Sequence, residues 1–122
     1  MPQSFTTQVP LFDPTQLLAN LGGDLELACE LVHLYCVEAP HLQEQLGLAI
    51  TQNNPEATER LAHGLKGASA NVCACQVQAA CAAIEQAAKQ ADWPTVHAYW
   101  GPLSESLQAY CNHASHLFPP LP

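Results

Sequence analysis

Apolar residues recur at three- and four-residue spacing along most of this chain, and no segment alternates as a half-buried strand would. Asp13-Pro14-Thr15-Gln16 reads as a helix start, with Asp13 as N-cap, Pro14 at the first helical position and Gln16 at the third. Gly22-Gly23 ends that helix early, and Asp24 caps a second. The second carries Leu27, Leu31, Leu34 and Tyr35 at helical spacing, and its pattern resumes after Pro40 with Leu42, Leu46 and Ile50. The spacing therefore predicts one long helix kinked near Pro40, not two helices. Asn53-Asn54-Pro55 turns into a third helix with Leu61, Leu65, Ala68 and Val72 on one stripe. A fourth runs from about Cys75 to Gln90, with Val77, Cys81, Ile84 and Ala88 inward. Asp92 caps a fifth, which opens on Trp93-Pro94 and carries Val96, Tyr99, Leu103, Leu107, Tyr110 and Cys111, with a bend expected at Gly101-Pro102.

These elements predict an all-α fold: an antiparallel up-down four-helix bundle with a short extra N-terminal helix across it. One domain is expected over residues 11–117, between a disordered tail or linker at 1–10 and a non-helical tail at 118–122. At 122 residues the chain can bury a core without disulfide or metal staples.

Composition narrows the function. The chain carries eleven acidic and three basic side chains, a formal charge of -8. That balance argues against nucleic acid, which needs clustered Lys and Arg, and equally against an anionic membrane surface. Residues 1–10 lack the basic start and apolar run of a signal peptide, and no stretch is apolar enough to span a bilayer. A cytoplasmic protein is expected, free-standing or as the cytoplasmic end of a membrane kinase. The six cysteines lie among apolar residues of helical segments and read as reduced, core or near-core thiols. Cys73-Ala74-Cys75 has the wrong spacing for a zinc knuckle.

The informative spot is His63. The basic residues are Arg60, Lys66 and Lys89, and two of them lie within three residues of this histidine. His63 falls roughly 200° around the helix from Leu61 and so faces solvent. Glu59, Arg60, Lys66 and Gly67 share its face, with Ala70 further on. An exposed histidine is usually an ordinary surface residue. That reading leaves Gly64 and Gly67 unexplained, since each costs about 1 kcal/mol relative to Ala inside a helix. Their missing side chains admit another surface close to the imidazole. A neutral imidazole is a competent nucleophile near pH 7, and a phosphoryl group on it needs nearby positive charge. No acid/base partner, metal cluster or phosphate loop is apparent, so the site reads as half of an active site completed by a partner.

Ala62-His63-Gly64-Leu65-Lys66-Gly67-Ala68-Ser69-Ala70-Asn71 closely resembles the signature of histidine-containing phosphotransfer (HPt) domains. Leu21-Gly22-Gly23-Asp24, Glu38-Ala39-Pro40 and Ala91-Asp92-Trp93 resemble that family's helix junctions, in the expected order. The resemblance covers roughly residues 11–117. It implies a phosphoryl carrier of two-component phosphorelays. His63 would accept a phosphoryl group from a receiver-domain aspartate and relay it to another receiver, Lys66 would stabilise it, and Gly67 would give the receiver access. Glu59, Arg60, Gly64 and Ala70 would belong to the docking surface, with part of the preceding helix. Receiver domains of response regulators or a hybrid sensor histidine kinase would be the partners. Mg2+ would belong to the receiver, with no cofactor on this chain, and a monomer is expected. Cys73 departs from the family, where glycine is common, and is expected to alter the turn into the fourth helix.

Three other readings compete. An autokinase would need a nucleotide-binding signature that is absent. A di-iron bundle would need Glu-x-x-His on two helices, whereas Glu30-Leu31-Val32-His33 and Glu38-Ala39-Pro40-His41 share one, and the third and fourth helices offer no inward carboxylate pair. His113 and His116, one turn apart, suit a helix C-terminus better than a metal. His33, His41 and His97 read as surface or boundary residues. A helical interaction module that binds a receiver or kinase without phosphotransfer would explain the bundle but not Lys66 and Gly67.

Overall fold

The computed structural model describes residues 9–122 of the chain. Its helices are α1 (Pro14–Asn20), α2 (Leu25–Thr51), α3 (Pro55–Asn71), α4 (Cys75–Lys89) and α5 (Trp93–Leu117), with no strand among the described residues. The helix starts follow the sequence. Asp13, Asp24, Asn54 and Asp92 each accept a hydrogen bond from the backbone N–H three residues on, satisfying a donor the helix leaves free. α4 begins on Ala74 without such a cap.

The helix ends follow one rule that the sequence hides. α1 to α4 each close with a left-handed residue: Gly22 (φ 65), Asn53 (φ 53), Cys73 (φ 55) and Ala91 (φ 52). In each case the next N–H returns to a carbonyl five residues back, as in Asn54 to Ala49 at 3.1 Å, Ala74 to Ser69 at 2.9 Å and Asp92 to Ala87 at 2.9 Å. This is the Schellman closure, usually built on glycine. Asn54, Ala74 and Asp92 then serve at once as N-caps of the following helix. Such short turns leave consecutive helices no option but to pack as antiparallel neighbours. Cys73 thus keeps the shape of the other turns and does not alter it. It occupies a glycine conformation and bears the strain of a side chain there.

α2 to α5 form the four-helix bundle, each packing against the next in sequence, with α5 returning to α2. α2 is continuous through Pro40 and α5 through Pro102. α1 is tied across the α3–α4 turn, where Asp13 N–H donates to the Cys73 carbonyl at 3.2 Å, and it buries Leu17. Gly47 admits Trp100 from α5, since a Cβ there would lie 3.0 Å from the indole. Two pairs of polar groups meet inside the bundle: the Tyr35 and Ser69 hydroxyls at 2.7 Å, and Tyr110, which donates to the Val72 carbonyl at 2.9 Å, whereas the buried Thr58 hydroxyl has no partner among the described residues. Phe12 stands edge-on to Tyr110, and Tyr110 edge-on to Tyr35.

The inward faces of α4 and α5 are largely those expected, with Val77, Cys81, Ile84, Ala88, Val96, Leu103, Leu107 and Tyr110 buried. On α2 and α3 the expected Tyr35, Leu46, Ile50, Leu65 and Val72 are buried, but elsewhere the buried row lies one position over. α2 buries Ala28, Cys29, Val32, Tyr35 and Ala39, and leaves Leu27 and Leu34 exposed. α3 buries Thr58, Ala62, Leu65 and Ser69, while Leu61 and Ala68 are half-buried. Small residues at these seams let the helices approach closely, so some large apolar side chains, Leu27 and Leu34 among them, lie outside the core. At the termini, residues 1–8 of the expected tail lie outside the described residues. The Val9 carbonyl accepts from Gln76 at 2.9 Å. Residues 118–122 are non-helical, but Phe118 is buried and closes the core.

Candidate functional site

His63 lies in the middle of α3 and points to solvent, its side chain 68% exposed. Its Nδ1 is 3.0 Å from Oε2 of Glu85 on α4. Lys66, one turn further along α3, places its ammonium 2.6 Å from Oε1 of the same carboxylate. Both oxygens of one largely buried carboxylate are therefore engaged from the neighbouring helix. Burial by itself would push the Glu85 carboxyl up. The hydrogen bonds and charge of Lys66 and His63 more than offset that and hold it below the usual carboxylate range.

The geometry fixes the imidazole. An ionised carboxylate only accepts, so the proton of a neutral His63 sits on Nδ1 and donates to Glu85. The lone pair then rests on Nε2, on the solvent side of the ring. The expectation of a site without an acid/base partner is thereby corrected: α4 supplies one. Glu85 is the residue the sequence reading missed. Its signal was available, because it is the only acidic residue of α4 and follows Ile84 at the edge of the buried stripe.

The remaining candidates fall into two groups. Glu59 and Arg60 line a shallow depression with Glu56, His63 and Glu85. Glu59 also faces Lys89 of α4 at 4.0 Å, a second charged pair across the α3–α4 seam. Gly64, Gly67 and Ala70 are exposed, and a Cβ added at Gly64 or Gly67 would meet nothing within 4 Å. Arg60, Gly64, Gly67 and Asn71 form one row of α3, at helical spacing. Beyond it lies an apolar hollow between α2 and α3, whose walls include Leu31, Leu34, Leu42 and Ala68. The leucines that the expected α2 stripe placed inside are thus the ones that make the surface beside the histidine apolar.

His33, His41 and His97 are exposed. His116 Nδ1 bonds the Asn112 carbonyl at 2.7 Å, and His113 stands edge-on to Phe12. Among the described residues, no group of three or more His, Cys, Asp and Glu is arranged to hold a metal ion. None of the helices there is long and apolar enough to cross a membrane.

Residues 30–114 match the family model described as Hpt domain. The chain belongs to the Hpt domain family. Its role is histidine phosphotransfer in phosphorelays, as a carrier and not a classical enzyme, in company with receiver domains and hybrid histidine kinases. Two solved structures are similar to it. Histidine-containing phosphotransfer protein B (HptB) of Pseudomonas aeruginosa PAO1 superposes with a TM-score of 0.80 at 19% identity, over 88% of this chain and 94% of that one. The HPT domain of a sensor hybrid histidine kinase from Shewanella gives a TM-score of 0.66 at 24% identity, over 87% and 95%. At these identities both likenesses bear on the fold alone. No curated protein matches the chain.

Proposed function

We propose that His63 is the phosphoryl acceptor of this Hpt domain, through Nε2, with Glu85 and Lys66 as the residues that make it effective. The observation that carries the reading is the 3.0 Å contact between His63 Nδ1 and Glu85, which holds the ring by one nitrogen and leaves the other free. In the forward step the Nε2 lone pair attacks the phosphorus of a receiver phospho-aspartate. The N–P bond forms, the P–O bond to the aspartate breaks, and the carboxylate leaves. The ring keeps its Nδ1 proton and becomes cationic, and the ionised Glu85 beside it offsets that charge. Return of the phosphoryl group to a second receiver runs the same step backwards.

Lys66 sits one turn from His63, tethered to the same carboxylate, within reach of a phosphoryl group on the ring. The row Arg60, Gly64, Gly67 and Asn71 and the apolar hollow beyond it form the docking face. The open space over Gly64 and Gly67 lets a receiver pocket come down onto His63, and Leu31 and Leu34 supply apolar contact. Ala70 lies on this face, and Glu59 and Arg60 set partner choice at its edge. The chain works as a monomeric, cytoplasmic carrier. It takes no phosphoryl group from ATP itself, and Mg2+ enters with the receiver.

The test is transfer of label from phosphorylated receiver domains to the wild type and to His63→Gln, with acid and base stability of the product measured. Acid-labile, base-stable label on the wild type alone supports the assignment. Label of equal extent on His63→Gln would sink it. Lys66→Ala is expected to accept label but to lose it to hydrolysis faster than the wild type.

A further inference from the structure

The seam between α2 and α5 lies across the bundle from the α3–α4 seam, and it holds two cysteines that phosphotransfer does not use. Cys36 of α2 and Cys111 of α5 are both half-exposed and line one crevice, with Pro40, Gln43, Ser104 and Leu107 around them. Facing each other across this crevice, the two thiols lie close enough to interact, and Ser115, one turn after Cys111, borders Cys36 as well. These contacts treat the thiols unequally. Interaction with Cys111, and to a lesser degree with Ser115, outweighs burial and holds the Cys36 thiol below its ordinary value. Cys111 is pushed up by the same interaction and by burial.

The other thiols lack this arrangement. Cys29, Cys73 and Cys81 are buried. Cys75 is half-exposed, but its thiol donates to the Cys73 carbonyl at 3.3 Å, and burial and Asp13 push it up. A reactive thiol needs access, a stabilised thiolate and a second thiol at hand. At the α2–α5 seam all three coincide.

We propose that Cys36 and Cys111 form an oxidisable dithiol, converted by a peroxide to a disulfide that joins α2 to α5. The Cys36 thiolate attacks one peroxide oxygen. The O–O bond breaks, Cys36 becomes a sulfenic acid, and the departing hydroxide takes a proton to leave as water. Cys111 then attacks the Cys36 sulfur, the S–O bond breaks, and the hydroxyl leaves with the Cys111 proton as a second water. Two thiols have lost two hydrogens and two electrons, and the peroxide has been reduced to two waters. A thiol reductant reverses the bond by exchange. The pair is independent of the role given to His63, and its test reads sulfur chemistry alone.

The full chain, reduced and freed of reductant, is treated with hydrogen peroxide and mapped by peptide mass spectrometry. The expected product is one intramolecular link between the Cys36 and Cys111 peptides, reversed by dithiothreitol. In Cys111→Ser, dimedone should trap a sulfenic acid at Cys36. In Cys36→Ser, no link should form and Cys111 should stay unlabelled. Dimedone labelling of Cys75 ahead of Cys36 would overturn the proposal. So would Cys36 and Cys111 remaining fully alkylatable in the wild type after glutathione has been oxidised under the same conditions. The wild-type map requires no variant to fold, so either result decides.

Discussion

Glu85 reaches His63 from the opposite helix, Oε2 to Nδ1 at 3.0 Å, and that one contact sets which ring nitrogen is free. Glu85→Gln should fold, because a carboxamide fills the same space and still accepts a hydrogen bond. Its loss is the charge that offsets a cationic phosphorylated ring. A hydrogen bond to a charged group is worth about 1.5–3 kcal/mol, against about 1 for a neutral one. Phosphoryl acceptance at His63 should therefore slow by about tenfold. Single-turnover transfer from a phosphorylated receiver checks this, and an unchanged rate would remove Glu85 from the site.

The same carboxylate gives acid stability a particular shape. Its folded value is depressed, so the unfolded chain binds the extra proton first as pH falls. Its contribution is fully present above the unfolded carboxylate value of about 4.3 and is lost as pH drops through the lower folded value. Wild type should lose melting temperature between about pH 5 and 3 more steeply than Glu85→Gln, which has no carboxyl there to titrate. Thermal melts across that range decide it; parallel curves would mean that the clamp adds no stability.

Gly67 offers a case where stability and function should part. A Cβ at that position meets nothing within 4 Å, and the residue is interior to α3. Gly67→Ala should stabilise the bundle by about 1 kcal/mol from helix propensity, or about 4 °C in melting temperature. It should at the same time slow transfer, and Gly67→Gln should slow it further by standing between His63 and the receiver. Transfer at the wild-type rate in Gly67→Gln would end the close-approach argument.

How much of this was legible in the sequence varies by element. Helix starts were readable because their chemistry is local: Asp13, Asp24, Asn54 and Asp92 each bond an amide three residues on. The α2 face was readable at Tyr35, Leu46 and Ile50 but not in its first half, where the core line runs through Ala28, Cys29 and Val32 and the large apolar Leu27 and Leu34 lie one step away. What selects the true face is the closeness of the partner helices, which a single chain's pattern does not contain. His63, Lys66 and Gly67 were legible because they are adjacent in sequence. Glu85 stands out in sequence only as the one acidic residue of α4, and its pairing with His63 arises from the packing of α4 on α3. The left-handed ends at Asn53, Cys73 and Ala91 escaped because two of those residue types do not signal that conformation.

Ala91 tests the last point on stability alone. It is exposed, carries φ 52, and closes α4 with its N–H on the Ala88 carbonyl at 3.1 Å. A Cβ in the left-handed region costs about 1–2 kcal/mol. Glycine removes that cost but frees the unfolded chain, which returns about 0.4–1 kcal/mol of the gain. Ala91→Gly should therefore stabilise the protein by about 0.5–1 kcal/mol, raising the melting temperature by about 2–4 °C. Gly22 provides the reverse case. It has φ 65, and an added Cβ would meet nothing within 4 Å, so Gly22→Ala introduces the backbone cost without a steric clash. It should destabilise by a similar amount. Cys73→Gly should gain less than Ala91→Gly, because the Cys73 side chain is buried and its contacts are lost. Melting temperatures of the three variants check the order. A lower melting temperature for Ala91→Gly than for the wild type would show that this turn does not carry the strain its backbone angle implies.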